Sequence, residues 1–118
     1  ADAISLINTL TGMKVDINRK AFVLANKTGG VSGPGIHAIA VRMVYEAANA
    51  VSVPIIGMGG IASAEDAIEM LLVGASAVSV GTANFYDPAV TMKVVDGIGK
   101  YMKEQGFETV ADMVGIVR

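Results

Sequence analysis

Cysteine and tryptophan are absent from the 118-residue chain, and histidine occurs once. Without cysteine there is no disulfide and no thiolate metal site, which fits a reducing compartment. Charge is sparse as well: charged side chains make up 17% of the residues, the net charge is −2, and no basic cluster stands out. Such a chain offers no electrostatic footprint to nucleic acid or to an anionic membrane surface, so neither is expected as a partner. No apolar run reaches the roughly 18 residues of a membrane span. The most apolar stretch is broken by Pro54, Gly57, Gly59 and Gly60. No charged leader with a cleavage site precedes the apolar opening Ile4-Ser5-Leu6-Ile7, so we expect a soluble, cytoplasmic chain that begins in mid-structure. No metal site is expected.

What is present points to a packed core. Apolar residues reach 53% and glycines number 14, a composition that excludes disorder and provides many tight backbone turns. Residues 4–7 read as a first strand running into Asn8-Thr9-Leu10-Thr11-Gly12, a loop at its carboxyl end. Val15-Asp16-Ile17 and Phe22-Val23-Leu24 flank the turn residues Asn18-Arg19-Lys20 as a small hairpin. Residues 28–35, with four glycines and a proline, are expected to form a loop that cannot be regular structure.

From Ile36 the apolar residues Ile39, Ala40, Met43, Val44, Ala47 and Val51 follow helical spacing, with His37, Arg42, Glu46 and Asn49 off the stripe. His37 is therefore expected to be a solvated first-turn residue, and Arg42 with Glu46 a surface pair. Val53-Pro54-Ile55-Ile56-Gly57 reads as a strand buried on both faces. Ser63 with Asp66 marks a helix start and Gly74 its end, with Glu65 adding favourable charge to the first turn. A third strand follows at Ala77-Val78-Ser79-Val80-Gly81. Asp87-Pro88 should open a helix to about Glu104, closed by Gly106, and a short last helix is expected over residues 109–114.

Strand, excursion, helix, strand, helix, strand, helix is the βα repeat of a parallel α/β fold. A closed eight-stranded barrel needs roughly 250 residues. Three strands would leave two open edges, so we expect a fragment that self-associates or needs the missing part.

The chemistry lies in two strand-end glycine loops, Ile56-Gly57-Met58-Gly59-Gly60-Ile61 and Val80-Gly81-Thr82-Ala83-Asn84. Glycines there either make βα turns or let backbone N–H groups approach a phosphate, and two such loops at this spacing favour the phosphate. Met58, between the glycines, is expected to pack inward.

Ile7-Asn8-Thr9-Leu10, Thr28-Gly29-Gly30-Val31-Ser32-Gly33-Pro34, Pro54-Ile55-Ile56-Gly57-Met58-Gly59-Gly60 and Gly74-Ala75-Ser76-Ala77-Val78-Ser79-Val80-Gly81-Thr82-Ala83, in this order, resemble the carboxyl-terminal part of the dihydroorotate dehydrogenases. The tail, Gly106-Phe107-Glu108 with residues 112–115, is similar too. Within the family the likeness is to the NAD-linked cytosolic class. It implies an α/β chain forming the last three βα units of a (β/α)8 TIM barrel, with residues 1–118 a partial FMN-binding domain.

The implied activity of the intact protein is FMN-dependent oxidation of dihydroorotate to orotate in de novo pyrimidine (UMP) biosynthesis. Asn8 and Thr9 match residues that hydrogen-bond the pyrimidine, although on their own they read rather as a polar strand terminus. Main chain at Ile7 would lie against the flavin, and Gly33, Gly59, Gly60, Gly81 and Thr82 would hold FMN through its ribityl phosphate. The resemblance also implies a catalytic cysteine and a flavin-contacting lysine upstream of this chain, a homo-oligomer, and a partner subunit carrying FAD and an iron–sulfur cluster. Alternatives are the pyrimidine-reducing domain of dihydropyrimidine dehydrogenase and a non-catalytic phosphate-binding half-barrel. The isolated chain is expected to be catalytically silent.

Overall fold

A computed structural model describes residues 1–117. In chain order its elements are β1 (Ile4–Leu6), β2 (Leu10–Met13), β3 (Val15–Asp16), β4 (Ala21–Phe22), β5 (Thr28–Val31), a 3₁₀ turn (Pro34–Ile36), α1 (His37–Ala50), β6 (Ile55–Met58), α2 (Ala64–Leu72), β7 (Ala77–Ser79), α3 (Ala83–Tyr86), α4 (Val90–Gln105) and a second 3₁₀ turn (Val110–Asp112). β1, β6 and β7 make a parallel sheet in that spatial order, with Ser5, Ile56 and Ala77 in register across it. Ile55 and Gly57 point to the helical side, where Gly57 packs on Met70 and Ala75. The core continues there through Ile7, Ile36, Ala40 and Val44, and through Val90 and Val94 of α4. On the other face Ser5, Ala77 and Ser79 are exposed and Ile56 is half-buried.

Local signals set the helices. The Asp66 N–H donates to Ser63 Oγ at 3.2 Å and the Ser63 N–H to Asp66 Oδ2 at 3.0 Å, a reciprocal cap that starts α2 where the sequence places it. At its end Gly74 has φ +123° and sits against Ala48, where a Cβ would collide. The Arg42–Glu46 pair forms on the surface of α1 at 2.7 Å. α4 departs from expectation: its first helical residue is Val90, and Asp87 lies outside it, accepting from the Ala89 N–H at 3.0 Å and pairing with Lys93 at 2.6 Å. The short α3, which precedes it, takes up the intervening chain. The last helix shrinks to its 3₁₀ turn, opened by Thr109, whose N–H donates to Asp112 Oδ2 at 2.8 Å.

The excursion between β1 and α1 corrects two readings. Residues 28–31 are not an irregular loop but β5, and residues 10–13 are its antiparallel partner β2, with Gly12 opposite Gly29 and Thr11 opposite Gly30. Glycine serves close approach here: a Cβ on Gly12 would strike the Val31 side chain, and one on Gly29 the Leu24 side chain. The expected hairpin is present as β3 with β4, shorter than anticipated, its turn held by the Asn18 and Arg19 N–H groups donating to Asp16 Oδ1 at 2.9 and 3.0 Å. No described helix is long and apolar enough to cross a membrane.

Candidate functional site

Parallel strands deliver their following loops to one end of the sheet, and a cavity of about 550 Å³ opens there. Ile7 and Thr9 reach it from the end of β1, Ser32 and Gly33 from the end of β5, Met58, Gly59 and Gly60 from β6, and Gly81 and Thr82 from β7. Seven of the eight residues singled out in the sequence therefore share one wall system. Asn8 does not line it: the side chain is exposed, and its Oδ1 accepts the Thr9 N–H at 2.7 Å. Met58 is half-buried and lines the cavity, so it contributes to the wall rather than to the core beneath.

Main-chain shape dominates this site. Gly33 has φ +92°, Gly59 +131° and Gly60 +68°, values that side chains disfavour. A Cβ on Gly60 would lie 2.6 Å from the Gly33 carbonyl oxygen and 2.8 Å from His37 Cβ, so the β6 loop and the turn before α1 touch only because no side chain intervenes. Gly81, by contrast, faces open space. Among the described residues the N–H groups of Gly60, Gly81 and Thr82 find no protein acceptor. Free amides on a wall shaped by glycine are donors suited to an anion, and among the described residues the one charged side chain lining the cavity is Asp87. Its carboxyl is held below the ordinary range by the hydrogen bond from Lys93 and then by the Ala89 N–H.

Side-chain contacts that the sequence does not announce brace these loops. The Thr82 hydroxyl donates to Ser32 Oγ at 2.7 Å. Asn84 Nδ2 donates to the carbonyls of Val80 and Gly81 at 2.8 and 3.0 Å, a task that the two donors of a carboxamide allow and that its position just after Gly-Thr could have signalled. His37 is the clearest correction. It is 8% exposed, not solvated, with Nδ1 2.8 Å from the Gly59 carbonyl and Nε2 3.0 Å from Glu69 Oε2. Helical spacing put it off the apolar stripe but could not show that the β6 loop and α2 close over that side.

His37, Asp66 and Glu69 also offer three potential metal-ligand atoms within 4.8 Å of one another. Hydrogen bonds already account for them, since Asp66 Oδ2 accepts from Ala62 and Ser63 and Glu69 meets the ring.

At the strand ends of a parallel α/β sheet, a cavity thus joins an apolar wall that includes Ile7, Ile36, Met58 and Val90 to glycine loops with free amides, an arrangement suited to a ligand with an apolar body and an anionic end. Comparison with known sequences makes this more specific: the family model "Dihydroorotate dehydrogenase" matches residues 1–102, and the chain belongs to that family. It is 58% identical over 118 residues to the "Dihydroorotate dehydrogenase B (NAD(+)), catalytic subunit" of Lachnoclostridium phytofermentans, covering 100% of this chain and 39% of that relative. The protein of the same description from Halalkalibacterium halodurans is 56% identical over 115 residues, covering 98% and 38%. This chain thus spans about two fifths of the relatives it matches. Among solved structures, that of DHODH from Eimeria tenella in complex with ferulenol superposes with a TM-score of 0.79 at 28% identity, over 98% of this chain and 31% of that one.

Proposed function

We propose that this chain is the carboxyl-terminal, flavin-holding portion of an FMN-dependent dihydroorotate dehydrogenase of the NAD-linked class, forming the last three βα units of its barrel. The observation that carries the reading is the convergence of Gly33, Gly59, Gly60, Gly81 and Thr82 on one cavity, together with the shared printed name of the relatives. Those relatives are called dihydroorotate dehydrogenases, which favours this reading over a uracil-reducing enzyme or a purely structural half-barrel.

The residues fit the phosphate end of FMN: three amides without a protein acceptor among the described residues, and at Gly33 and Gly81 a main chain with no side chain to occupy the space in front of it. Bound there, FMN would supply the two-electron redox chemistry. Gly60, Gly81 and Thr82 would donate main-chain hydrogen bonds to its phosphate. Ile7 and Thr9, at the end of β1, would flank the ring and the pyrimidine. Asn8 would meet substrate through Nδ2, its Oδ1 being engaged by Thr9.

In this reading the base that takes the substrate proton comes from the part of the protein outside this chain, because the only titratable carboxylate lining the cavity, Asp87, is bound to Lys93. The same reading gives the protein a cytoplasmic location, a homo-oligomeric state and an electron-transfer partner subunit with FAD and an iron–sulfur cluster.

The full-length protein, purified and assayed, should carry flavin released as FMN on denaturation and convert dihydroorotate to orotate with an artificial acceptor. Turnover of uracil without turnover of dihydroorotate, or a flavin-free protein with neither activity, would sink the reading.

A further inference from the structure

Two consecutive glycines with positive φ form a pliable strand end, and a ligand held by their amides needs that end fixed from outside. We propose that His37 is the fastener, a positioning residue that sets the Gly59–Gly60 peptide so that the Gly60 N–H faces the cavity; this rests on the FMN reading above.

Geometry carries the assignment. A carbonyl oxygen only accepts, so the 2.8 Å contact to Gly59 requires the proton on Nδ1 of His37. His37 does not line the cavity whereas Gly60 does, so the Gly59 carbonyl is drawn to the helical side. In a trans peptide the C=O and the following N–H point in opposite directions, which turns the Gly60 N–H away from His37, and that N–H has no protein acceptor among the described residues. The ring is itself immobilised. With Nδ1 donating to Gly59, Nε2 donates to Glu69 Oε2 at 3.0 Å only when it too carries a proton, as in the imidazolium; Asp66 Oδ1 lies behind at 3.6 Å, and both carboxylates stand on α2, whose first turn is locked by the Ser63 cap. The main chain of His37 also leaves no room for a side chain there, its nitrogen lying 2.9 Å from where a Gly60 Cβ would be.

Asparagine and glutamine separate the two ring contacts. His37→Asn keeps a donor near the position of Nδ1 and gives up Glu69; His37→Gln reaches toward Glu69 and gives up the Gly59 carbonyl. FMN and riboflavin, which lacks the phosphate, would be titrated into the full-length apoprotein and followed by flavin fluorescence. We expect H37Q to weaken FMN about tenfold, the worth of one hydrogen bond, to leave riboflavin unchanged, and H37N to stay close to wild type for both. FMN affinity unchanged in H37Q, equal losses in H37Q and H37N, or parallel losses of FMN and riboflavin would overturn the assignment while leaving the FMN reading intact. A wild-type protein that binds no FMN would overturn that reading and this assignment with it.

Discussion

The Thr82 hydroxyl donates a 2.7 Å hydrogen bond to the Ser32 hydroxyl, joining two loops separated by 50 residues of sequence. Thr82 follows the β7 strand end and Ser32 follows β5, so the bond ties the glycine-rich entry to α1 to the last of the cavity loops. Removing it by Thr82→Val should loosen both and weaken FMN by up to about tenfold. The melting temperature should barely move, since the pair is exposed. Flavin fluorescence titration and a thermal scan of the full-length protein measure the two effects, and a large loss of stability with unchanged FMN affinity would contradict the assignment.

Gly60→Ala and Gly81→Ala should behave differently although both alter the cavity wall. At Gly60 the alanine combines φ +68° with contacts of 2.6 and 2.8 Å, so about 2 kcal/mol or more of stability should be lost along with the cofactor. Gly81 has open space around it, and its methyl should leave the fold intact while crowding the phosphate. Denaturant unfolding curves would separate the two. Equal destabilisation would contradict the packing described.

Met70 is fully buried between α2 and the sheet, its sulfur near Gly57. Met70→Ala should cost about 2–5 kcal/mol through lost burial and the cavity left behind. Equilibrium unfolding of the full-length protein gives the number, and a loss below that range would mean that α2 can settle onto the sheet.

Acid should loosen the last turn. The Thr109 N–H donates to Asp112 Oδ2 at 2.8 Å and holds that carboxyl below its usual value, with the Thr109 hydroxyl adding to the effect. Because the folded value lies below the unfolded one, the carboxylate's contribution is complete above the usual aspartate value of 3.8. It is lost as pH falls through the lower folded value. Amide exchange around residues 109–113 should accelerate over that window, and Asp112→Asn should flatten the dependence; an unchanged profile in the variant would refute the cap's role.

How much of this was legible in the sequence follows from the range of each interaction. The Ser63–Asp66 cap spans three residues, and the helical stripe of α1 repeats within a turn, so both could be read locally. The glycine loops were legible because a strand followed by glycine is a local pattern. The ring partners of His37, by contrast, lie 22 and 32 residues away, and nothing near it in sequence announces them. β2 and β5 were hidden because glycine in a strand looks like glycine in a loop until the facing strand is known. Asn8 was placed with its neighbours by motif, but which way an exposed carboxamide turns depends on the local N–H it captures.

The part of the cavity wall that is main chain and glycine has little to exchange. Gly60 admits no side chain against Gly33 and His37, and the amide groups that face the cavity are the same whatever residues carry them. On the FMN reading, an inhibitor with an anionic group seated against the Gly60, Gly81 and Thr82 amides would therefore leave the target few single-residue routes to resistance, because most substitutions that expelled the drug would also disturb the fold or the cofactor proposed to bind there.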